Sequence, residues 1–158
     1  MRTAAMLTLG FLATMVTSCG GAEPDPGAAG LADATAAATG DAFTGNLTVS
    51  ATSVAVGSNI VVTETATNLT GSSIGPIIIG IRRLGFNVVA VQKPRTGICR
   101  IAGSATCNFV QLAPFETQSY TLTLQATTPG TYQIQGWTRT TSTTLTGGFF
   151  GQVNVTVH

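Results

Sequence analysis

The sequence predicts an all-β fold, an antiparallel β-sandwich of seven to nine strands, over residues 46–158. Apolar and polar residues alternate there in short, Thr-rich runs, and Gly, Pro, Asn and Ser separate one run from the next. No run repeats its apolar residues at helical spacing. Because each strand then has one apolar face, we expect two sheets to pack face to face and bury those faces.

The individual strands follow from these alternating runs. Leu47 and Val49 alternate with polar residues in the first strand, and Ile60 and Val62 share one face of the second. Residues 76–81 are almost entirely aliphatic, which predicts a strand covered on both faces. Further strands are predicted at residues 86–91, ended by Pro94, and at residues 108–112, 120–124, 132–134 and 153–157.

The N-terminal segment predicts export. Arg2 supplies one positive charge, and residues 4–16 form an uncharged, largely apolar run of about 13 residues. That length is typical of the apolar region of a signal peptide and is too short to cross a bilayer as a helix, which takes about 20 residues. Residues 1–18 are therefore predicted to be a signal peptide.

The end of this run resembles a bacterial lipobox, in which an aliphatic residue and two small residues precede a cysteine that takes a lipid. The matching residues are Val16, Thr17, Ser18 and Cys19. The resemblance implies cleavage before Cys19 and a lipid anchor on it, in the outer membrane or on the cell surface of a bacterium. Ordinary signal cleavage slightly downstream, after residues 20–22, is the alternative.

Residues 19–45 are predicted to form a flexible linker behind the lipidated cysteine. The segment is rich in Gly and Pro and then in Ala, Thr and Gly, and it has no aromatic residue before Phe43. Such a composition buries too little apolar surface to offset the loss of chain entropy on folding. The linker would hold a domain clear of the lipid head groups.

Several short motifs of the domain, taken in order, resemble known bacterial surface domains. Gly57, the alternating residues after it and the closing Asn68 resemble the strand that opens bacterial Ig-like repeat domains. Residues 112–114 (Leu-Ala-Pro) and 128–132 (Thr-Pro-Gly-Thr-Tyr), with two nearby cysteines, are similar to the conserved-repeat family and equally to the cell-adhesion-related (CARDB-like) domain. The resemblance covers residues 46–158. It implies an Ig-like sandwich that serves as a surface scaffold, without shared catalytic residues.

Two residues depart from the pattern of that family. Phe115 stands where a glycine follows the proline, so we expect a different turn. Glu64 occupies a strand position that is normally apolar. We prefer an edge position that exposes Glu64 to solvent. The alternative is a buried carboxyl that pairs with Arg82 or Arg139 or takes up a proton, because an unpaired buried carboxylate is costly.

Catalytic and cofactor-binding groups are scarce. His158 is the only histidine and the last residue, and Glu64 and Glu116 are the only acidic residues after position 45. No group of His, Cys, Asp and Glu has the spacing of metal ligands, and no glycine-rich loop precedes a helix that could bind phosphate. We therefore predict no enzyme activity, no cofactor and no metal. Export and an isoelectric point near 7.7 argue against nucleic acid as a partner.

The three cysteines fit an oxidising compartment. If Cys19 carries the lipid, Cys99 and Cys107 remain as an even pair. We predict a disulfide between them. Two reduced, partly buried thiols are the alternative.

Aromatic residues near the C-terminus are candidate ligand contacts. Trp137 is five residues from Tyr132, so strict alternation places it on the opposite face of the strand. A bulge at Gly136 would turn it inward, and we prefer that inward position. Phe149 and Phe150 are neighbours and must lie on opposite faces, which leaves one of them exposed.

Most of the positive charge falls in one central segment. The residues are Arg82, Arg83, Lys93, Arg95 and Arg100. They are candidates for contact with anionic lipid or polysaccharide. Solubilising charge at strand ends is the simpler interpretation. Taken together, the sequence predicts a non-catalytic, lipid-anchored envelope protein that works by contact with an envelope protein or a surface polysaccharide. The alternative is a carbohydrate-binding module that uses exposed aromatic residues.

Overall fold

The computed structural model describes residues 32–34 and 42–158, the first of these as backbone only. The predicted signal peptide, Cys19 and most of the predicted linker lie outside the described residues. The described residues form eleven strands: β1 Ala32–Ala34, β2 Phe43–Val49, β3 Ser53–Val54, β4 Asn59–Asn68, β5 Ile74–Arg83, β6 Phe86–Gln92, β7 Ile98–Ile101, β8 Ser104–Leu112, β9 Thr117–Ala126, β10 Gly130–Thr140 and β11 Phe149–Val157.

These strands form two sheets that pack face to face. The five-stranded sheet has the order β1-β2-β4-β9-β6, and the six-stranded sheet has the order β3-β11-β10-β5-β8-β7. Among the paired strands of the described chain, β3 and β11 alone run parallel. The all-β, antiparallel sandwich is as predicted. The strand number exceeds the predicted seven to nine because β1, β3 and β7 have only three, two and four residues, too few to show alternation.

The core lies between the sheets and follows the alternation of the sequence. Ile60 and Val62 of β4, in one sheet, and Ile77 and Ile79 of β5, in the other, are fully buried. Each such side chain contributes about 1.5–3 kcal/mol when it leaves water. The other fully buried residues of similar size include Leu47, Ile81, Leu112, Tyr120, Leu122, Leu124 and Ile134.

The domain begins earlier than predicted. Phe43 opens β2 and has no exposed surface, so it belongs to the core although the predicted boundary was residue 46. In addition, β1 pairs antiparallel with β2, with Ala32 opposite Val49, inside the segment predicted to be a linker. The composition of this segment concealed both strands, because a three-residue strand needs only a neighbour with free backbone groups.

The turn after β8 retains a glycine-like conformation despite Phe115. Its φ is 56°, the left-handed region that glycine adopts freely, and its side chain is 70 % exposed. The expectation of a different turn is therefore wrong at this residue. Glu116 holds the turn: its Oε2 accepts the N–H of Ala113 at 2.7 Å, and its Oε1 pairs with Arg95.

Cys99 and Cys107 form a disulfide, as predicted. They are directly opposite each other in the β7–β8 hairpin, with their Cα atoms 4.0 Å apart. Because β7 pairs with β8 alone among the described strands, the bond ties this edge strand covalently to the sheet.

Breaking the Cys99–Cys107 bond should lower the free energy of unfolding by about 2–3 kcal/mol, because it frees a short loop in the unfolded chain. Urea unfolding of the oxidised protein, the reduced protein and the Cys99→Ala/Cys107→Ala variant would measure this. The reduced protein separates loss of the bond from loss of the sulfur atoms, since it keeps every heavy atom of the core. Equal stability of the oxidised and reduced forms, or two alkylatable thiols in the oxidised protein, would contradict the prediction.

Candidate functional site

The outer face of the six-stranded sheet carries the aromatic residues and arginines that form a candidate site. One row crosses four strands: Phe150 in β11 lies opposite Trp137 in β10, Trp137 opposite Gly80 in β5, and Gly80 opposite Thr106 in β8. Neighbouring strands are about 4.8 Å apart, so these side chains are direct neighbours. We call Trp137, Phe150 and the residues beside them on this face, Arg82, Gln135 and Arg139, the aromatic platform.

Trp137 faces outward, so the preferred inward position is wrong. The pairing of β10 with β11 is continuous through Gly136, and no bulge interrupts it. Ile134, Gly136 and Thr138 are all buried and point into the sandwich, which leaves Trp137 on the opposite face. Gly136 is needed there for another reason: a Cβ on it would collide with the carboxyl of Glu64 and with Leu47.

Gly80 supports the indole ring of Trp137. A Cβ added to Gly80 would overlap the Cε2, Cζ2 and Nε1 atoms of that ring. The ring therefore lies against the β5 backbone in the space of the missing side chain, which explains why Trp137 is only partly exposed. This contact also covers the outer face of β5, the strand whose aliphatic sequence predicted cover on both faces.

Phe150 extends the platform beside Trp137. It is 57 % exposed, whereas Phe149 is only 5 % exposed and points into the core, so the predicted division of this pair between two faces is confirmed. Two shallow depressions meet where Trp137 and Phe150 touch. One, of about 400 Å³, is lined by Trp137, Arg139, Phe149 and Phe150; the other, of about 510 Å³, is lined by Arg82, Leu84, Gly103, Ser104, Gln135, Trp137 and Phe150.

Positive charge surrounds the platform. Arg82, Arg100 and Arg139 are exposed, and their registers place them on this same outer face. Among the described residues, no carboxylate shares this face, because Glu64 is buried between the sheets and Glu116 is paired with Arg95 at the β8–β9 turn. The face is therefore a region of uncompensated positive potential.

The basic segment of the sequence divides in the folded chain. Arg82 and Arg100 reach the platform face, but Arg83 points the other way and its Nη1 donates to the carbonyl of Phe86 at 2.8 Å. Lys93 and Arg95 line a separate groove beside the outer face of β9. Arg139 joins the platform instead, because it is two residues from Trp137 on β10 and shares its face.

Tyr132 is not part of the platform, although it was predicted as a possible ligand contact. Its ring packs edge to face with Phe86, with the ring centres 5.8 Å apart. It is a partly buried member of the core. The reason is the same alternation, since Tyr132 and Ile134 share the inner face of β10.

Glu64 is fully buried, so the preferred solvent-exposed edge position is wrong. The reason is topological, because β4 lies between β2 and β9 and is not an edge strand. Thr138 Oγ1 donates to Glu64 Oε1 at 2.8 Å, while Oε2 has no hydrogen-bond partner among the described residues. Burial raises the pKa of the carboxyl from 4.5 to about 8, and the hydrogen bond from Thr138 offsets this only in part.

The two carboxyl groups of the domain therefore have separate structural roles. Glu64 lies inside the sandwich as a neutral acid at neutral pH, and Glu116 braces a surface turn. Within residues 32–34 and 42–158, no three His, Cys, Asp or Glu side chains are grouped as metal ligands would be. No helix in the same residues has the length and apolar character needed to span a membrane.

Three solved structures resemble the chain in fold at low sequence identity. Two are a crystal structure, in complex with di-metal ions, and a solution structure of the CARDB domain of one Pyrococcus furiosus protein. Both are 15% identical to this chain. The match with the crystal structure covers 78% of this chain and 97% of that one, with a TM-score of 0.43. The match with the solution structure covers 75% of this chain and 94% of that one, with a TM-score of 0.42. The third is a β-glucosidase from Erythrobacter marinus, 13% identical, with a TM-score of 0.43. That match covers 73% of this chain and 15% of the glucosidase.

No protein-family model matches the chain, and no curated protein matches it.

The buried Glu64 carboxyl should make the domain less stable as the pH rises. Its pKa is higher in the folded state, so the protonated form favours folding, and stability is highest below about pH 4.5 and falls until about pH 8. The fall should be on the order of 4 kcal/mol. Urea unfolding of wild type and Glu64→Gln across this range would measure it. A wild-type slope that Glu64→Gln does not reduce would contradict the assignment.

Adding a methyl group at Gly80 should displace the indole ring of Trp137. We expect Gly80→Ala to lose about 1–3 kcal/mol of stability and to shift the tryptophan emission to the red as the ring moves into water. Gly103→Ala is the matched control, because nothing lies within 4 Å of its added Cβ. If both variants keep the wild-type emission and stability, the Trp137 ring does not rest on β5.

Proposed function

We propose that this protein is a non-catalytic, lipid-anchored component of a bacterial envelope that acts by contact through the aromatic platform. The observation that carries the proposal is the outward-facing pair of a partly exposed Trp137 and an exposed Phe150, on a face where the described residues place no Asp or Glu side chain. An exposed aromatic pair with flanking arginines has the composition of a contact surface.

Contact accounts for this domain better than catalysis does. A general acid or base needs access to a substrate, but the Glu64 carboxyl is sealed between the sheets. Glu116 is held by Arg95 and by the backbone of Ala113. His158 Nδ1 lies 3.4 Å from the Ser53 hydroxyl at the chain end, with no acid beside it among the described residues to orient the ring.

The anchoring part of the proposal rests on the lipobox-like residues 16–19 and on the composition of the segment behind them. A lipid on Cys19 would confine the platform to a thin layer above a membrane. A high local concentration strengthens weak contacts, so the modest size of the platform suits a tethered protein.

A carbohydrate-binding module is the second candidate function. The specific observation in its favour is the position of Trp137, whose indole ring packs against β5 at Gly80 on the outer face of the sheet and is partly exposed. The apolar face of a sugar ring stacks on such a surface, while Gln135 and Ser104 nearby offer hydrogen bonds to hydroxyl groups.

The anchor is tested by metabolic labelling of the full chain in its host with tritiated palmitate. Wild type should take up label and sediment with membranes, whereas Cys19→Ala should lose both properties because the proposed lipid is attached through the Cys19 sulfur. Ser18→Ala is the matched control and should remain labelled, since it keeps a small residue before the cysteine. A Cys19→Ala protein that still carries the label would refute lipidation at this site.

The contact surface is tested with a photo-crosslinking residue at position 150 in intact cells. We expect a discrete, reproducible adduct there and none from the same residue at position 115, which is an exposed phenylalanine away from the platform. The same adduct from both positions, or an adduct from position 115 alone, would show that the platform is not the contact surface.

A further inference from the structure

We propose that the aromatic platform binds an acidic polysaccharide, with one sugar ring stacked on Trp137 and acid groups paired with Arg82 and Arg139. This inference rests on the proposed function, because it assigns a ligand class to the same contact surface. It commits to a chain of uronic-acid sugars as the occupant.

The first argument is the presentation of the indole ring. Gly80 lies beneath the ring, so the β5 backbone fixes its tilt. Phe150 lies across the strand pair from Trp137 and is mostly exposed. The two rings form one apolar surface on which the C–H face of a sugar ring can stack, and a rigid aromatic loses little entropy on binding.

The second argument is the position of the two arginines along the strands. Arg139 follows Trp137 by two residues on β10, about 7 Å along the strand. Arg82 lies opposite Gln135, which precedes Trp137 by two residues. The two guanidinium-bearing residues therefore flank the ring on opposite sides, roughly 13 Å apart along the strand direction. This separation suits a chain of several sugars with an acid on each side of the stacked ring.

The third argument is the charge of the face. Within the described residues, no carboxylate competes for Arg82 or Arg139 on this side of the sheet. A guanidinium binds a carboxylate with two parallel hydrogen bonds, so each of the two arginines can hold one acid group. The same face also has neutral hydrogen-bonding side chains, Gln135, Gln152 and Ser104, for the sugar hydroxyls that lie between the two acid groups.

The platform suits a glycan better than a lipid surface. Each basic side chain near an anionic membrane contributes only about 1 kcal/mol, and the face has three arginines. Other outward residues of this sheet are amides and hydroxyls, including Gln133, Gln152, Asn154 and Thr156, which do not insert into acyl chains. Depressions on both sides of Trp137 also favour a ligand that follows the surface.

The test uses the single tryptophan of the full chain as its reporter. The protein is titrated with oligogalacturonate, alginate oligosaccharide, a neutral cello-oligosaccharide of equal length, and vesicles with and without phosphatidylglycerol. We expect a saturable change of tryptophan emission with at least one uronic-acid probe, at least 10-fold weaker binding to the neutral sugar, and weakening by added salt.

The variants separate stacking from charge. Arg82→Gln/Arg139→Gln should weaken binding of the uronic-acid probe at least 10-fold, and Phe150→Ala should weaken it several-fold. Lys93→Gln and Phe115→Ala are the matched controls and should bind as wild type does, because neither residue lines the platform. Thermal melting checks that each variant is folded. Binding to Trp137→Ala is measured by calorimetry instead of fluorescence, because that variant has no tryptophan.

Four results would overturn the inference. Equal affinity for the neutral sugar, or full affinity in the double arginine variant, would show that acid groups of the ligand do not contribute to binding. Binding to phosphatidylglycerol vesicles alone would assign the surface to lipid. If no sugar binds while position 150 still gives its specific crosslink, the contact function stands and the polysaccharide is wrong; if the crosslink is absent as well, both fail.

Discussion

The structure depends on the register of β10 between β5 and β11. Nine consecutive pairs with β11 and seven with β5 hold this strand without a bulge, so its side chains alternate strictly. Gly136 points inward and leaves room for the Glu64 carboxyl, while Trp137 points outward onto Gly80. A shift of one residue would bury the tryptophan and expose the core, because alternate side chains exchange faces. One pairing therefore sets both the interior and the candidate site.

Inside the sandwich, this register has an energetic cost. The Glu64 carboxyl replaces an apolar group, accepts one hydrogen bond from Thr138 and leaves its other oxygen without a partner among the described residues. Protonation is the least costly solution, since a neutral carboxyl loses much less hydration energy than an anion does. Because Glu64 is buried, its carboxyl cannot pair with the arginines of the outer face. The Glu116 carboxylate cannot do so either, because it is paired with Arg95. The arginines of the outer face therefore remain available to an anionic partner.

The platform combines residues from three strands, with Arg82 on β5, Trp137 and Arg139 on β10, and Phe150 on β11. In the proposed mechanism, the lipid anchor sets the location of the domain at the membrane and the platform makes the contact there. A rigid sheet presents these groups without prior ordering, which reduces the entropy lost when a ligand binds.

By itself, the sequence determined the all-β class, the inner faces of β2, β4 and β9 and the Cys99–Cys107 disulfide, because alternation and cysteine parity are local or countable properties. It also indicated the opposite faces of Phe149 and Phe150. Only the tertiary structure decided that Glu64 is buried and that Trp137 faces outward. It also showed that Arg139 joins the platform while Arg83 and Tyr132 do not. The burial of Glu64 depends on which strands are neighbours, and strand order is a non-local property that no short stretch of sequence encodes. The outward position of Trp137 depends on the unbroken pairing of β10 with β11, which is also non-local.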